Sequence, residues 1–311
     1  MISGQEYALP YSKGLMASRV MATGLAPAQA YQVAQVVEDR LHAGQRASVS
    51  TGDLTDLVVE VLEKELGARY AVAFANWQMV LQLDIPVVVL LGGSAGVGKS
   101  TIATMLANRL GINRVVPTDA IREVMRAMLS EDLMPTLHSS SYDVGRLLKN
   151  PVPEEADPVI IGFREQTSAV AVGIDALMAR AADEGSDLIV EGVHVVPGFV
   201  DGTRFKGQAM VVPIVITTDD EEQHRSHFLM RAEEVRNRPS ERYLDSFENI
   251  RKVQSYVKSL AGDHGVPVVV SRDIDVTIAE IIDLVVSQVT QAVPQLQDPQ
   301  PSTVGSKRGA P

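Results

Sequence analysis

The segment Gly93-Ser94-Ala95-Gly96-Val97-Gly98-Lys99-Ser100, continued by Thr101, carries the most specific chemistry in the chain. It fills the pattern G-x-x-x-x-G-K-[ST] through Gly93, Gly98, Lys99 and Ser100. Glycines at this spacing let the backbone curl so that successive N–H groups point inward at a β-phosphate. Lys99 is expected to reach the β- and γ-phosphates, and the Ser100 hydroxyl to ligate Mg²⁺. A helix starting near Lys99 would aim its positive dipole end at the same anions. The flanks agree: the apolar run Val87–Leu91 precedes the loop and Thr101–Ala107 follows it. ATP and Mg²⁺ are the cofactors this pattern implies.

Other residues fit a phosphoryl transfer. The sequence Val115-Val116-Pro117-Thr118-Asp119 reads as a short strand ending in an acid. There Asp119 could accept or orient an acceptor hydroxyl, or it could cap the helix predicted over Ala120–Leu129. Arg122 and Arg126 stand four apart on that helix and could grip one anion. With Glu123 beside them they could equally form a solvated face. Leu188–Glu191 is another apolar strand with an acidic end, and Glu191 suits a metal-shell or substrate-orienting carboxylate. His194 follows it and is a candidate for substrate binding. Arg231, Arg236, Arg238 and Arg242 flank a loop holding Asn237 and Pro239. They suit a lid closing over the phosphates, with Arg231 and Arg238 as catalytic candidates. The other reading makes them salt-bridge partners of Glu233, Glu234 and Glu241. An Asn-Lys-x-Asp base-reading motif, as in GTPases, does not occur.

The elements that must position these groups alternate. Strands are predicted at Ile85–Leu91, 114–117, Leu188–Glu191, 208–216 and 267–270. Helices are predicted at Lys99–Leu110, Ala120–Leu129, Phe163–Glu184, 221–236 and 274–289. Short apolar strands alternating with helices imply an α/β fold with a parallel sheet covered on both faces. Residues 1–83 lack a strongly apolar strand and read as a small, mainly helical unit, with helices at Pro27–Leu41 and Asp53–Leu66. Residues 84–291 form the P-loop unit, and the Pro- and Gln-rich residues 292–311 read as a disordered tail. The chain of 311 residues has net charge −11 and no cysteine. The charge argues against non-specific nucleic-acid binding, and the missing cysteine excludes disulfides and thiolate chemistry. No apolar run is long enough for a membrane span, and the start lacks a signal-peptide pattern, so a cytoplasmic location is expected.

Gly92–Thr101, Pro117–Arg126 and Glu191-Gly192-Val193-His194 together resemble the 2-phosphoglycerate kinase family, as does the arginine-rich segment followed by Phe247–Gln254. The resemblance runs from about residue 7 to 285. It implies a P-loop kinase fold and transfer of the ATP γ-phosphate to the 3-hydroxyl of 2-phosphoglycerate, giving 2,3-bisphosphoglycerate. The partner is then a small phosphorylated acid, and Arg122 and Arg126 match the motif that would hold it. The front unit is similar to the ATP-cone-like helical domain of these kinases. Lys13 and Arg19 could bind phosphate there, but no glycine-rich cradle is visible. A packing or dimerisation unit, and with it a homo-oligomer, is the other reading. Also open are a kinase of another anionic or sugar-like acceptor and an ATP-binding regulatory protein with little turnover.

Overall fold

The computed structural model describes residues 2–3, 8–44, 48–82, 85–234 and 240–297. The front of the chain is a helical unit with a minor sheet. Strands β1 (Ile2–Ser3) and β2 (Ala8–Leu9) are followed by helices α1 (Lys13–Met21) and α2 (Pro27–Ala43). Strand β3 (Val49–Ser50) then leads into α3 (Thr51–Leu66) and α4 (Ala68–Val80). The three strands pair in the order β2-β1-β3. The Ser50 hydroxyl caps α3 by accepting from the Asp53 N–H at 3.0 Å, which satisfies one of the free donors of the first turn. Apolar residues at helical spacing, among them Met16, Val20, Val33, Val37, Leu54, Val58, Val61 and Phe74, close into one buried cluster.

The larger unit contains strands β4 (Val87–Gly92), β5 (Val115–Pro117), β6 (Leu188–Glu191), β7 (Met210–Thr217) and β8 (Val268–Val270). Its helices are α5 (Lys99–Leu110), α6 (Thr118–Met128), α7 (Pro158–Glu184), α8 (Glu221–Glu234), α9 (Ser240–Asp245), α10 (Phe247–Asp263) and α11 (Ile274–Gln297). The five strands are parallel throughout and run in the order β5-β6-β4-β7-β8. Side chains alternate across the pleat, and β4 shows the result. Val87, Val89 and Leu91 join one core with α5 and α11, while Val88 and Leu90 join another with α7. The chain leaves β4 for one edge of the sheet and later returns to its other side at β7. The carboxyl ends of β4 and β6 therefore flank a topological switch point, where α/β folds bind ligands.

The front unit is packed onto the sheet. Ala22, Trp77 and Val80 lie in the same buried cluster as Val89, Leu91, Ile281 and Val285. Gly24 approaches α11 so closely that a Cβ there would stand 3.3 Å from the Ala279 Cβ. Arg69 pairs with Asp283 across the junction.

The predicted P-loop helix and β6 have the expected bounds. Two differences bear on the site. Strand β5 ends at Pro117, so Asp119 belongs to the first turn of α6 and not to a strand end. The N-cap of that helix is Pro117, and no side chain caps it, so Asp119 is not a cap either. Helix α11 continues to Gln297. The segment that composition marks as disordered therefore begins as helix, continuous with the part of α11 that buries Val285, Val286 and Val289. Residues 298–311 lie outside the described residues. The helices α1, α4 and α10 and the minor front sheet were not expected.

Candidate active site

The site is built around the turn from β4 into α5. Gly93 has φ +138°, and a Cβ on it would stand 2.2 Å from the Ile216 carbonyl oxygen of β7. Only glycine fits that approach, and it brings the loop tight against the sheet. The Lys99 ammonium is nearly buried and donates to the Ser94 carbonyl at 2.6 Å. Ser100, in the first turn of α5, donates its hydroxyl to Glu191 Oε1 at 2.8 Å. Glu191 is 6% exposed at the carboxyl end of β6. The structure thus brings together the hydroxyl and the carboxylate singled out as metal ligands. Among the described residues, no group of three or more His, Asp or Glu side chains could hold a metal by itself. A cation here would take its remaining ligands from water and phosphate oxygens, as Mg²⁺ does.

The loop is also gripped from outside, by residues to which the sequence alone assigns no role. On α10, Gln254 accepts from the Ser94 hydroxyl and from the Thr218 N–H, both at 3.2 Å, and donates to the Thr218 carbonyl at 2.9 Å. On α8, His224 Nε2 donates to the Ala95 carbonyl at 2.7 Å, and His227 Nδ1 donates to the Gly96 carbonyl at 2.9 Å. The Phe228 ring fills the space beside Gly96. Burial holds the His224 pKa down to about 4, against the upward pull of its bond to Ala95. The sequence signal for this clamp is slight: two histidines and a phenylalanine on one helix face, at i, i+3 and i+4. Arg231 lies on α8 and Arg242 on α9. Arg236 and Arg238 lie outside the described residues.

Helix α6 forms the opposite wall. The Asp119 carboxylate is exposed and stands 3.7 Å from Arg122 Nε. Arg122 is largely sequestered, and its Nη1 donates to the Ser139 carbonyl at 2.7 Å and to the Leu137 carbonyl at 3.3 Å. Arg122 and Arg126 do share a face, and what they hold is Glu123. Its Oε1 lies 3.2 Å from Arg122 Nη2 and 3.1 Å from Arg126 Nη1.

His194 is in a different situation from a ligand-binding residue. It is fully buried. Its Nδ1 is 3.0 Å from the Thr118 hydroxyl and its Nε2 is 2.9 Å from Gln166 Oε1. Both ring nitrogens are taken, so the ring offers nothing to a substrate. Desolvation draws its pKa down to about 4; the Asp119 carboxylate opposes this, and Arg122 and Lys99 add to it. The neighbouring Gly192, at φ +153°, lets the β6 loop pass Thr118; a Cβ would fall 1.8 Å from the Thr118 hydroxyl.

A cavity of about 1680 Å³ runs beside β7, lined by Val196, Asp201, Lys206, Val211, Pro213 and His264 among others. None of the loop residues 93–101 lines it, so volume alone would misplace the site. Among the described residues no helix is long and apolar enough to cross a membrane.

No family model matches the chain. The 2-phosphoglycerate kinase of Methanothermobacter thermautotrophicus is 37% identical over 282 residues, which cover 90% of this chain and 92% of that protein. The 2-phosphoglycerate kinase of Methanopyrus kandleri is 36% identical over 296 residues, 95% of this chain and 89% of its own. That of Thermococcus kodakarensis is 36% identical over 281 residues, with coverages of 90% and 94%. Among solved structures, a shikimate kinase from Acinetobacter baumannii in complex with shikimate aligns with TM-score 0.38 at 15% identity, over 68% of this chain and 97% of its own. A gluconokinase from Sinorhizobium meliloti aligns with TM-score 0.37 at 14% identity and the same coverages.

Proposed function

The chain belongs to the 2-phosphoglycerate kinase family, and from that premise we propose that it transfers the ATP γ-phosphoryl group to the 3-hydroxyl of 2-phosphoglycerate. The products are 2,3-bisphosphoglycerate and ADP. The observation that carries the reading is that Ser100 of the phosphate loop meets Glu191 at the end of β6, beside the β5–α6 turn that carries Asp119 and Arg122, Pro117 being paired with Glu191 in the sheet. The Asp119, Arg122 and Lys99 charges all act on the His194 ring.

The loop amides from Gly93 to Thr101 and the Lys99 ammonium hold the triphosphate and offset the charge that develops on it. Ser100 and Glu191 would hold Mg²⁺, which neutralises charge on the β- and γ-oxygens when bound. Asp119 orients the acceptor hydroxyl and takes its proton as the O–P bond forms. Arg122 and Arg126 hold the acceptor's phosphate and carboxylate. Arg122 is pre-set for this by two backbone carbonyls, so less freedom is lost on binding. Arg231 and Arg238 are assigned to a lid over the γ-phosphate.

The front unit is proposed to serve as a packing domain. The Lys13 ammonium is engaged by Gln35 at 2.6 Å and by Glu38 at 3.5 Å, so it is not offered to a phosphate. Lys99→Ala tests the donor side. We expect kcat to fall by about 10²-fold or more with unchanged far-UV circular dichroism. Normal turnover by that variant would remove the P-loop from the mechanism.

A further inference from the structure

We infer that Gln166, a residue of α7 remote from every motif, is a positioning residue that sets the acceptor wall of the site through both Thr118 and Arg122. Gln166 is fully buried. Its amide orientation is determined by its partners: Nε2 donates to the carbonyls of Thr136 and Ser139, so Oε1 must face His194. That oxygen can only accept, so His194 carries its proton on Nε2. The ring's Nδ1 is then bare and accepts from the Thr118 hydroxyl. The low proton affinity of the buried ring keeps it in this form. Thr118 is the first residue of α6.

The second arm runs through a shared carbonyl. Ser139 O accepts from Gln166 Nε2 at 3.0 Å and from Arg122 Nη1 at 2.7 Å. One amide therefore anchors the start of α6 by way of His194, and the guanidinium one turn later by way of Ser139. Asp119 lies between these two anchors, and its carboxylate is exposed. Its place is inherited from the backbone that Gln166 fixes. A fully satisfied buried network of this kind holds a single geometry. A misplacement of about 1 Å at reacting groups can cost about 10²-fold in rate. The inference rests on the reading that Asp119 and Arg122 face the acceptor.

Two variants of the full chain test it, Gln166→Leu and Thr118→Val, with Thr118→Ser as the conservative replacement that keeps the hydroxyl. Amide exchange of residues 118–128 and 135–139 is measured beside that of 93–101, together with kcat and the KM values for 2-phosphoglycerate and ATP. We expect exchange in α6 to rise by about tenfold while the phosphate loop is unchanged. We expect kcat/KM for the acceptor to fall by about 10- to 100-fold, the ATP KM to stay within about twofold of the parent, and Thr118→Ser to restore most of both. Unchanged α6 exchange, or equal losses for ATP and acceptor, would overturn the inference. If Gln166→Leu does not fold, Gln166→Met, which keeps the length of the side chain and removes both amide arms, takes its place with the same expected and contrary results. A parent protein inactive on 2-phosphoglycerate would overturn the acceptor assignment, and the exchange data would still decide whether Gln166 sets α6.

Discussion

Glu123 holds two guanidinium groups that the reaction would need elsewhere. One of its two carboxylate oxygens, Oε1, is shared by Arg122 and Arg126, and both Glu123 and Arg126 are well exposed, so the pairing is worth only about 0.2–1 kcal/mol. An incoming phosphate or carboxylate must displace it. Glu123→Gln is therefore expected to lower the acceptor KM by about two- to fivefold with kcat unchanged, in steady-state assays at low salt. A raised KM would mean that Glu123 itself helps to seat the acceptor. The sequence shows that these arginines share a face, because i and i+4 spacing is a fact of helix geometry. It does not show that Glu123 occupies them. Gln166 was invisible for a related reason: a glutamine inside a 27-residue helix looks like a surface residue until its partners, 27 to 30 residues away, are folded against it. His194 stood out by position, and burial redirects it from ligand binding to the support of Thr118.

At the scale of elements, the two buried histidines make the walls of the site sensitive to acid. His194 has a pKa drawn from its usual 6.5 to about 4, chiefly by desolvation, and His224 shows the same direction and cause. Between these values the unfolded chain takes up a proton that the folded chain refuses. The stabilisation is thus full above about pH 6.5 and is lost as pH falls toward 4, up to about 3 kcal/mol for His194. Thermal unfolding should show Tm falling steeply from pH 6.5 to 4.5, with a shallower slope in His194→Gln. Equal slopes would show that the ring does not stay neutral in the folded protein. Elements with a strong local signal were legible in the sequence. The phosphate-loop pattern marks the start of α5, and the apolar run with an acidic end marks β6. Helix α10 was not: Phe247–Gln254 carries a family resemblance, but no glycine-rich or acidic-ended motif marks it as an element of the site. The minor front strands, of two residues each, are too short to leave a periodic signal.

Taken whole, the molecule joins a helical front to a parallel sheet through a shared core. Trp77 is the single tryptophan and is 3% exposed in the cluster that also holds Leu91 and Ile281. Its fluorescence therefore reports on the junction. Urea unfolding followed by this fluorescence and by far-UV circular dichroism should give superimposable curves, as for one cooperative unit. Trp77→Ala should cost about 3–5 kcal/mol. Two separated transitions would show that the front folds independently of the sheet. The net charge of −11 makes an anionic acceptor depend on local cations, and the proposed ones are Arg122 and Arg126 on α6. The most direct measurement of the central claim incubates the protein with ATP, Mg²⁺ and either 2-phosphoglycerate or 3-phosphoglycerate and follows the products by ³¹P NMR. The account predicts 2,3-bisphosphoglycerate from 2-phosphoglycerate, with ADP formed in equal amount, and none from 3-phosphoglycerate. Product from 3-phosphoglycerate alone, or ADP without any bisphosphate, would contradict it.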